Sequence, residues 1–276
     1  MEAPLETFDV ELTRIRKLSP STQDFRFQRL DGTPVGYEPG QFYRFSFADE
    51  AGEFERSYSL CNFEEDIQPS YLDLVISVVE NGRASRLLFN SEVGLKANVT
   101  GPFGRLTLPR EMPRRLFLVA TSVGIAPFMP MLKALEARLL AEEVEVHFIY
   151  GTRDISEFVY GAALTEYAAT HPQFHLHVCF SRDDPVALNQ FRGYVQDQLF
   201  QFGPDPESDH FLLCGNPKMI DDVYPRLKEL GFSVKQVVRE KYVFAKAVSK
   251  ASAAKTQPMT EEQKRLLAEK MKKYSS

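Results

Sequence analysis

Residues 56–63 read RSYSLCNF, within a stretch of strand-like composition. Side chains along a strand alternate between faces, so Arg56 and Tyr58 project to one side and Ser57 and Ser59 to the other. A fixed cation beside a flat phenol is either ordinary strand decoration or one wall of a site for a flat, phosphorylated ligand. In the second case Arg56 meets a pyrophosphate, Tyr58 lies against a ring system, and Ser59 hydrogen-bonds a ring nitrogen. A second stretch suits the same ligand. VVENGRASRLLFN sets Gly82, Arg83, Ala84 and Ser85 at the entrance of a helix. The first backbone N–H groups of a helix are unpaired and bind anions, and a glycine lets a phosphate approach. The plain alternative is a turn at Asn81-Gly82 with Ser85 capping the helix.

The second half repeats this logic. LFLVATSVGIAPFMPML reads as a strand, a turn of small residues over Thr121, Ser122, Val123 and Gly124, then a helix, which is where a second pyrophosphate would rest. The G-x-G-x-x-G fingerprint occurs nowhere in the chain. FLLCGNPKMI ends another strand with Cys214, Gly215, Asn216 and Pro217, the proline suiting a first helical turn. A small buried thiol is the plain reading of Cys214. CFSRDD ends a third strand with Ser181 and Arg182, a hydroxyl and a guanidinium that suit a phosphate monoester. The competing reading pairs Arg182 with Asp183 or Asp184 in a solvated loop.

These residues need elements to position them. Strand candidates FDVELTRI, TQDFRFQRL, QFYRFSF, FERSYSL, YLDLVISVV and KANVTGPF, separated by Gly/Pro turns, fill residues 1–110 and favour a closed barrel or sandwich. One helix, ASRLLFN, interrupts them. From Arg115 strands alternate with helices, which implies a parallel sheet with ligands at the carboxyl ends of its strands. Residues 111–244 form this second domain. Residues 245–276 are an Ala/Ser/Lys-rich linker and a short amphipathic helix with Thr260 and Gln263 as a capping box.

Composition narrows the function classes. The chain has 276 residues, enough for about two domains. A net charge of −5 gives no pull toward nucleic acid. With no Trp, ring stacking falls to Phe and Tyr. Cys61, Cys179 and Cys214 form no CxxC zinc pattern, disulfide framework or iron–sulfur run, which suits a reducing, cytoplasmic compartment. The first residues lack the apolar stretch of a signal peptide, and no run is long enough to span a bilayer.

In order, RSYS, G-x-x-S opening a helix, GPFGRL, GIAPFMPM, CGNPKMI and a late EKYVF resemble the ferredoxin–NADP reductase superfamily over roughly residues 5–244, most of all its bacterial ferredoxin (flavodoxin)–NADP reductases. The resemblance implies a six-stranded antiparallel Greek-key β-barrel holding FAD, followed by a five-stranded parallel sheet with flanking helices holding NADP(H). By position, Arg56 pairs with the flavin pyrophosphate, Tyr58 stacks on the ring, and Ser59, with Glu240, manages the proton at N5. Ser57 belongs to the same flavin strand, and Gly82 to Ser85 receive the pyrophosphate. Thr121, Ser122 and Gly124 face the nucleotide pyrophosphate, Ser181 and Arg182 its 2′-phosphate, and Cys214 to Pro217 the nicotinamide end. Tyr242 or Phe244 covers the other flavin face. TSVG departs from the glycine-rich stretch usual before I-A-P, a change expected to loosen nucleotide binding.

The activity implied is hydride transfer between NADPH and flavin, with electrons passing to or from a separate ferredoxin or flavodoxin, the protein itself a monomer. Arg44, Arg56, Arg83 and Arg86 are the cations expected near the flavin edge for such a carrier. Two other readings stand beside it: a reductase serving an oxygenase or free flavin, and a flavin-binding sensor or scaffold without turnover.

Overall fold

A computed structural model describes residues 4–63 and 69–242. The expectations for Phe244 and for the 245–276 tail lie outside these residues.

The first half is one antiparallel sheet of six strands: β1 (Glu6–Lys17), β2 (Thr22–Arg29), β3 (Phe42–Asp49), β4 (Gly52–Ser59), β5 (Tyr71–Ser77) and β6 (Lys96–Phe103). Their order in space is β4-β3-β6-β1-β2-β5. Alternating apolar residues turn Leu12, Phe25, Phe27, Phe45, Phe47 and Val99 into one interior, all fully or almost fully buried. The expected closed barrel is a curled sheet: no strand ladder joins β4 to β5 among the described residues. The chain just after β4 partly bridges that gap. The Cys61 N–H donates to the Asp73 carbonyl (2.9 Å), and the Asn62 side chain donates to the Tyr71 carbonyl and accepts from the Asp73 N–H, both at 3.0 Å. One asparagine amide thus replaces a missing stretch of ladder. Helix α1 (Arg83–Phe89) interrupts the strands where expected.

The second half is a parallel sheet: β7 (Arg115–Thr121), β8 (Glu145–Thr152), β9 (Phe174–Phe180), β10 (Gln190–Arg192), β11 (Asp209–Gly215) and β12 (Val237–Lys241). Among the described residues six strands replace the expected five, in the order β10-β9-β8-β7-β11-β12. The additional one, β10, is a three-residue edge strand on β9. Helices α2 (Phe128–Leu140) and α3 (Gly161–Thr170) pack on one face. Helices α4 (Val195–Gln201) and α5 (Pro217–Glu229) pack on the other. The chain runs outward from β7 through β8, β9 and β10, then crosses to β11. The topological switch therefore falls between β7 and β11, the usual place for a ligand crevice in an open α/β sheet.

Candidate functional site

The crevice is present at the carboxyl ends of the parallel strands. A cleft of about 620 Å³ is lined by Thr121 and Ser122 at the end of β7, Gly151 and Thr152 on β8, Ser181 after β9, and Gly215 and Asn216 at the end of β11. Ser77 and Val78 at the end of β5 and Ser21 supply the wall from the curled sheet.

Its floor is shaped by close backbone approach. A Cβ on Gly124 would stand 2.5 Å from the Cys214 carbonyl oxygen. Gly215 has a positive φ of 124°, and a Cβ there would stand 2.3 Å from the Thr121 hydroxyl. That hydroxyl accepts from the Asn216 N–H at 2.8 Å, and the Asn216 side chain accepts from the Lys218 N–H to cap α5, with Pro217 at the first turn. TSVG and CGNP thus interlock, and Gly124 survives where no side chain fits. Ser122 is the costly member, at a left-handed φ of 50°.

At the seam between the sheets, residues nearly two hundred positions apart meet. The Tyr242 hydroxyl donates to Ser59 Oγ at 2.7 Å, and Ser59 donates to Glu240 Oε1 at 3.1 Å. The Tyr242 N–H is held by the Gly215 carbonyl at 2.9 Å. Burial raises the Glu240 carboxyl above its ordinary range, the bond from Ser59 opposing it. Burial also pushes the Cys214 thiol and the Tyr242 phenol well up. Cys214 is therefore a neutral thiol filling space, not a thiolate nucleophile.

On the flavin-type wall, strand alternation is as expected. Arg56 pairs opposite Phe45 and Tyr58 opposite Tyr43, so both share the row of Phe54. Tyr58 is half-buried, edge-on to Phe45 at 5.8 Å. Ser57 is exposed on the other row. The guanidinium groups of Arg83 and Arg56 lie 4.3 and 5.5 Å from the Phe54 ring. Arg83 is tied to Asp49 and to the Gly52 carbonyl, whereas Arg56 donates to the Glu55 backbone carbonyl and has no carboxylate partner among the described residues. Ser85 is buried and accepts the Val79 N–H at 2.8 Å, so its hydroxyl ties down the chain before α1 and does not cap the helix's own N–H groups as the plain reading expected. Gly82 stands at the N-cap of α1.

Arg182 is exposed, and neither neighbouring aspartate claims it. Asp183 accepts the Ile155 N–H at 2.9 Å, and Asp184 pairs with Arg192. Ser181, one residue back, lines the cleft. Sequence reading missed two further cations on the cleft wall, Arg153 and Lys218, and the aromatic Tyr194. Arg153 and Tyr194 stand outside any motif and only the topology gathers them, whereas Lys218 follows the proline of CGNPKMI in the first turn of α5.

Two domain models match the chain, an oxidoreductase FAD-binding domain over residues 9–108 and an oxidoreductase NAD-binding domain over residues 118–224. A curated relative, ferredoxin--NADP reductase B of Sorangium cellulosum, is 30% identical over 246 residues, covering 86% of this chain and 98% of that one. The chain belongs to the ferredoxin–NADP reductase superfamily. The toluate 1,2-dioxygenase electron transfer component of Pseudomonas putida is 27% identical, covering 85% of this chain and 67% of that protein. Among solved structures, a ferredoxin NADP+ reductase from Neisseria gonorrhoeae shares the fold at a TM-score of 0.73 with 21% identity, covering 87% of this chain and 99% of that one.

As a member of this superfamily the chain is an oxidoreductase with an FAD-binding and an NAD-binding domain. The residues present fit both groups. Among the described residues Arg56 has no carboxylate partner and Tyr58 keeps a partly open ring, and Thr121, Ser122, Gly215 and Asn216 leave an open cleft at the strand ends. No helix among the described residues is long and apolar enough to cross a membrane.

Proposed function

We propose that this chain is an NADPH-linked flavoprotein reductase exchanging electrons with a separate one-electron carrier of ferredoxin or flavodoxin type. In this reading residues 1–110 form the flavin domain, 111–244 the nucleotide domain, and 245–276 an appended tail. The carrying observation is the Tyr242–Ser59–Glu240 hydrogen-bond chain across the seam, beside Cys214 and at the mouth of the nucleotide cleft. Bound FAD supplies the two-electron chemistry with a nicotinamide and the one-electron chemistry with a carrier. The protein's part is positioning and proton control. Arg56 holds the pyrophosphate, Tyr58 one ring face, and the buried Glu240 carboxyl holds or releases a proton relayed by Ser59. Tyr242 rests where a nicotinamide must enter. It is held by hydrogen bonds at its hydroxyl and its backbone N–H, so it yields by rotating its ring. Ser181 and Arg182 favour a 2′-phosphate, with Lys218 adding positive charge along the cleft, where Arg153 is paired with Glu157.

The test is anaerobic. Addition of NADPH should bleach the flavin absorbance faster than NADH does, and the reduced protein should then reduce ferredoxin or flavodoxin. Bleaching by neither nucleotide defeats the reading. The relative from Pseudomonas putida favours a second reading, a reductase serving an oxygenase component. It is preferred if the reduced protein passes electrons to neither carrier but does so to an oxygenase.

A further inference from the structure

Three of the chain's five histidines stand together on β8 and β9, far from the nucleotide cleft. Parallel register sets His147 beside His175 and Ile149 beside His177, and Glu145 opens β8 on the same row. Glu145 Oε1 lies 3.0 Å from His147 Nε2 and 3.2 Å from His175 Nε2. The ligand atoms of all three residues lie within 4.8 Å of one another. Tetrahedral zinc, with bonds of about 2.0–2.1 Å, needs donor atoms roughly 3.3 Å apart. Two edges of that triangle already have this length, and the third closes by a ring rotation of His175, whose side chain is 39% exposed.

The site is also supported from behind. His147 Nδ1 lies 3.3 Å from His177 Nε2, and the His147 ring stacks on Phe117 at 4.8 Å. With a metal on Nε2, the Nδ1–H of His147 donates to His177, the partner that fixes a ligating imidazole in orientation and tautomer. Glu145 and His175 are partly exposed, so the cluster is open to solvent.

We propose that Glu145, His147 and His175 form a binding site for a divalent transition metal of zinc type, which pins the amino ends of β8 and β9 together. Two imidazoles and one carboxylate are a donor set that zinc accepts and that calcium or magnesium does not. Glu145 begins the strand whose other end, Thr152, lines the cleft, so the site lies roughly 20 Å from it at ~3.3 Å per residue. The proposal is thus independent of the reductase reading.

The full chain, stripped with a chelator, is titrated with zinc sulfate by calorimetry. Binding should saturate at one zinc per chain and raise the melting temperature. His175→Gln and Glu145→Gln, both at partly exposed positions, should each weaken binding at least about tenfold, and His177→Gln by about 10- to 100-fold. Flavin content should be unchanged in the first two, showing that they fold. Absence of zinc uptake by the wild-type chain overturns the proposal. So does uptake that His175→Gln and Glu145→Gln leave intact, which would make the cluster ion pairs only.

Discussion

Glu240 is a carboxyl whose protonation the fold controls: burial raises its pKa, and a single hydroxyl, that of Ser59, opposes the rise. Between the unfolded and the folded pKa the native state keeps a proton that the unfolded chain has lost. Stability from this group is therefore complete below the unfolded value and falls as pH rises through the folded one. Glu240→Gln cannot ionise and escapes that loss. Its melting temperature relative to wild type should improve as pH rises above the ordinary glutamate range, and a constant difference would show that the carboxyl is not raised. The same substitution should slow anaerobic flavin reduction by about 10²-fold if Glu240 holds the proton in the reaction. Ser59→Ala should move the pH profile of that step upward, because the bond that favours the ionised form is gone. Arg182 is a different case, an exposed cation that its acidic neighbours leave free. Arg182→Ala should cost NADPH about 10- to 150-fold in kcat/KM, a charged hydrogen bond of about 1.5–3 kcal/mol, and leave NADH unchanged. Equal losses with both nucleotides would remove Arg182 from the site.

The turn after β7 carries its own test at the scale of an element. Ser122 takes a left-handed φ that costs a non-glycine residue roughly 1–2 kcal/mol. Ser122→Gly should stabilise the chain by up to about 1 kcal/mol, since glycine's greater unfolded freedom offsets part of the relief. Urea denaturation with an unchanged slope reads this directly. Such turns were legible in sequence because small residues between an apolar strand and a helix have few other uses. The long strands were equally legible, through alternation in β1 to β4 and β6 and continuous apolar runs in β7 and β11. The short β10 was not. Its three residues, Gln190, Phe191 and Arg192, carry no periodicity, and only the edge of β9 makes them a strand. The open edge between β4 and β5 was hidden for a similar reason, since Asn62 replaces a ladder by one side-chain amide. Ser59, Glu240 and Tyr242 were chosen from motif order, whereas Arg153 and the histidine row had no motif to mark them.

For the molecule as a whole, the cleft exists only while the two sheets hold their relative position, and a small polar latch between them is well defined. Glu157, 9% exposed, accepts the hydroxyls of Ser19 and Ser21 at 2.6 and 2.8 Å across from the turn between β1 and β2, and Arg153 at 3.2 Å. Beside it, the Tyr160 hydroxyl reaches Asp24 at 3.2 Å from a left-handed backbone position with a φ of 57°. Arg153 is half exposed, so its ion pair contributes little, and the weight falls on the two serine bonds to a charged acceptor. Glu157→Ala strips both hydroxyls of that acceptor and should destabilise the chain by about 1–3 kcal/mol. For a chain of this size that lowers the melting temperature by roughly 2–4 °C per kcal/mol. Because Arg153 and Ser21 also line the cleft, the substitution should weaken NADPH binding as well. Ser19→Ala separates the two effects. Ser19 is buried behind Glu157 and does not line the cleft, so this variant should lose stability while binding NADPH as the wild type does. If Ser19→Ala and Glu157→Ala both melt like the wild type, the latch holds nothing, and the relative position of the sheets rests on apolar packing alone.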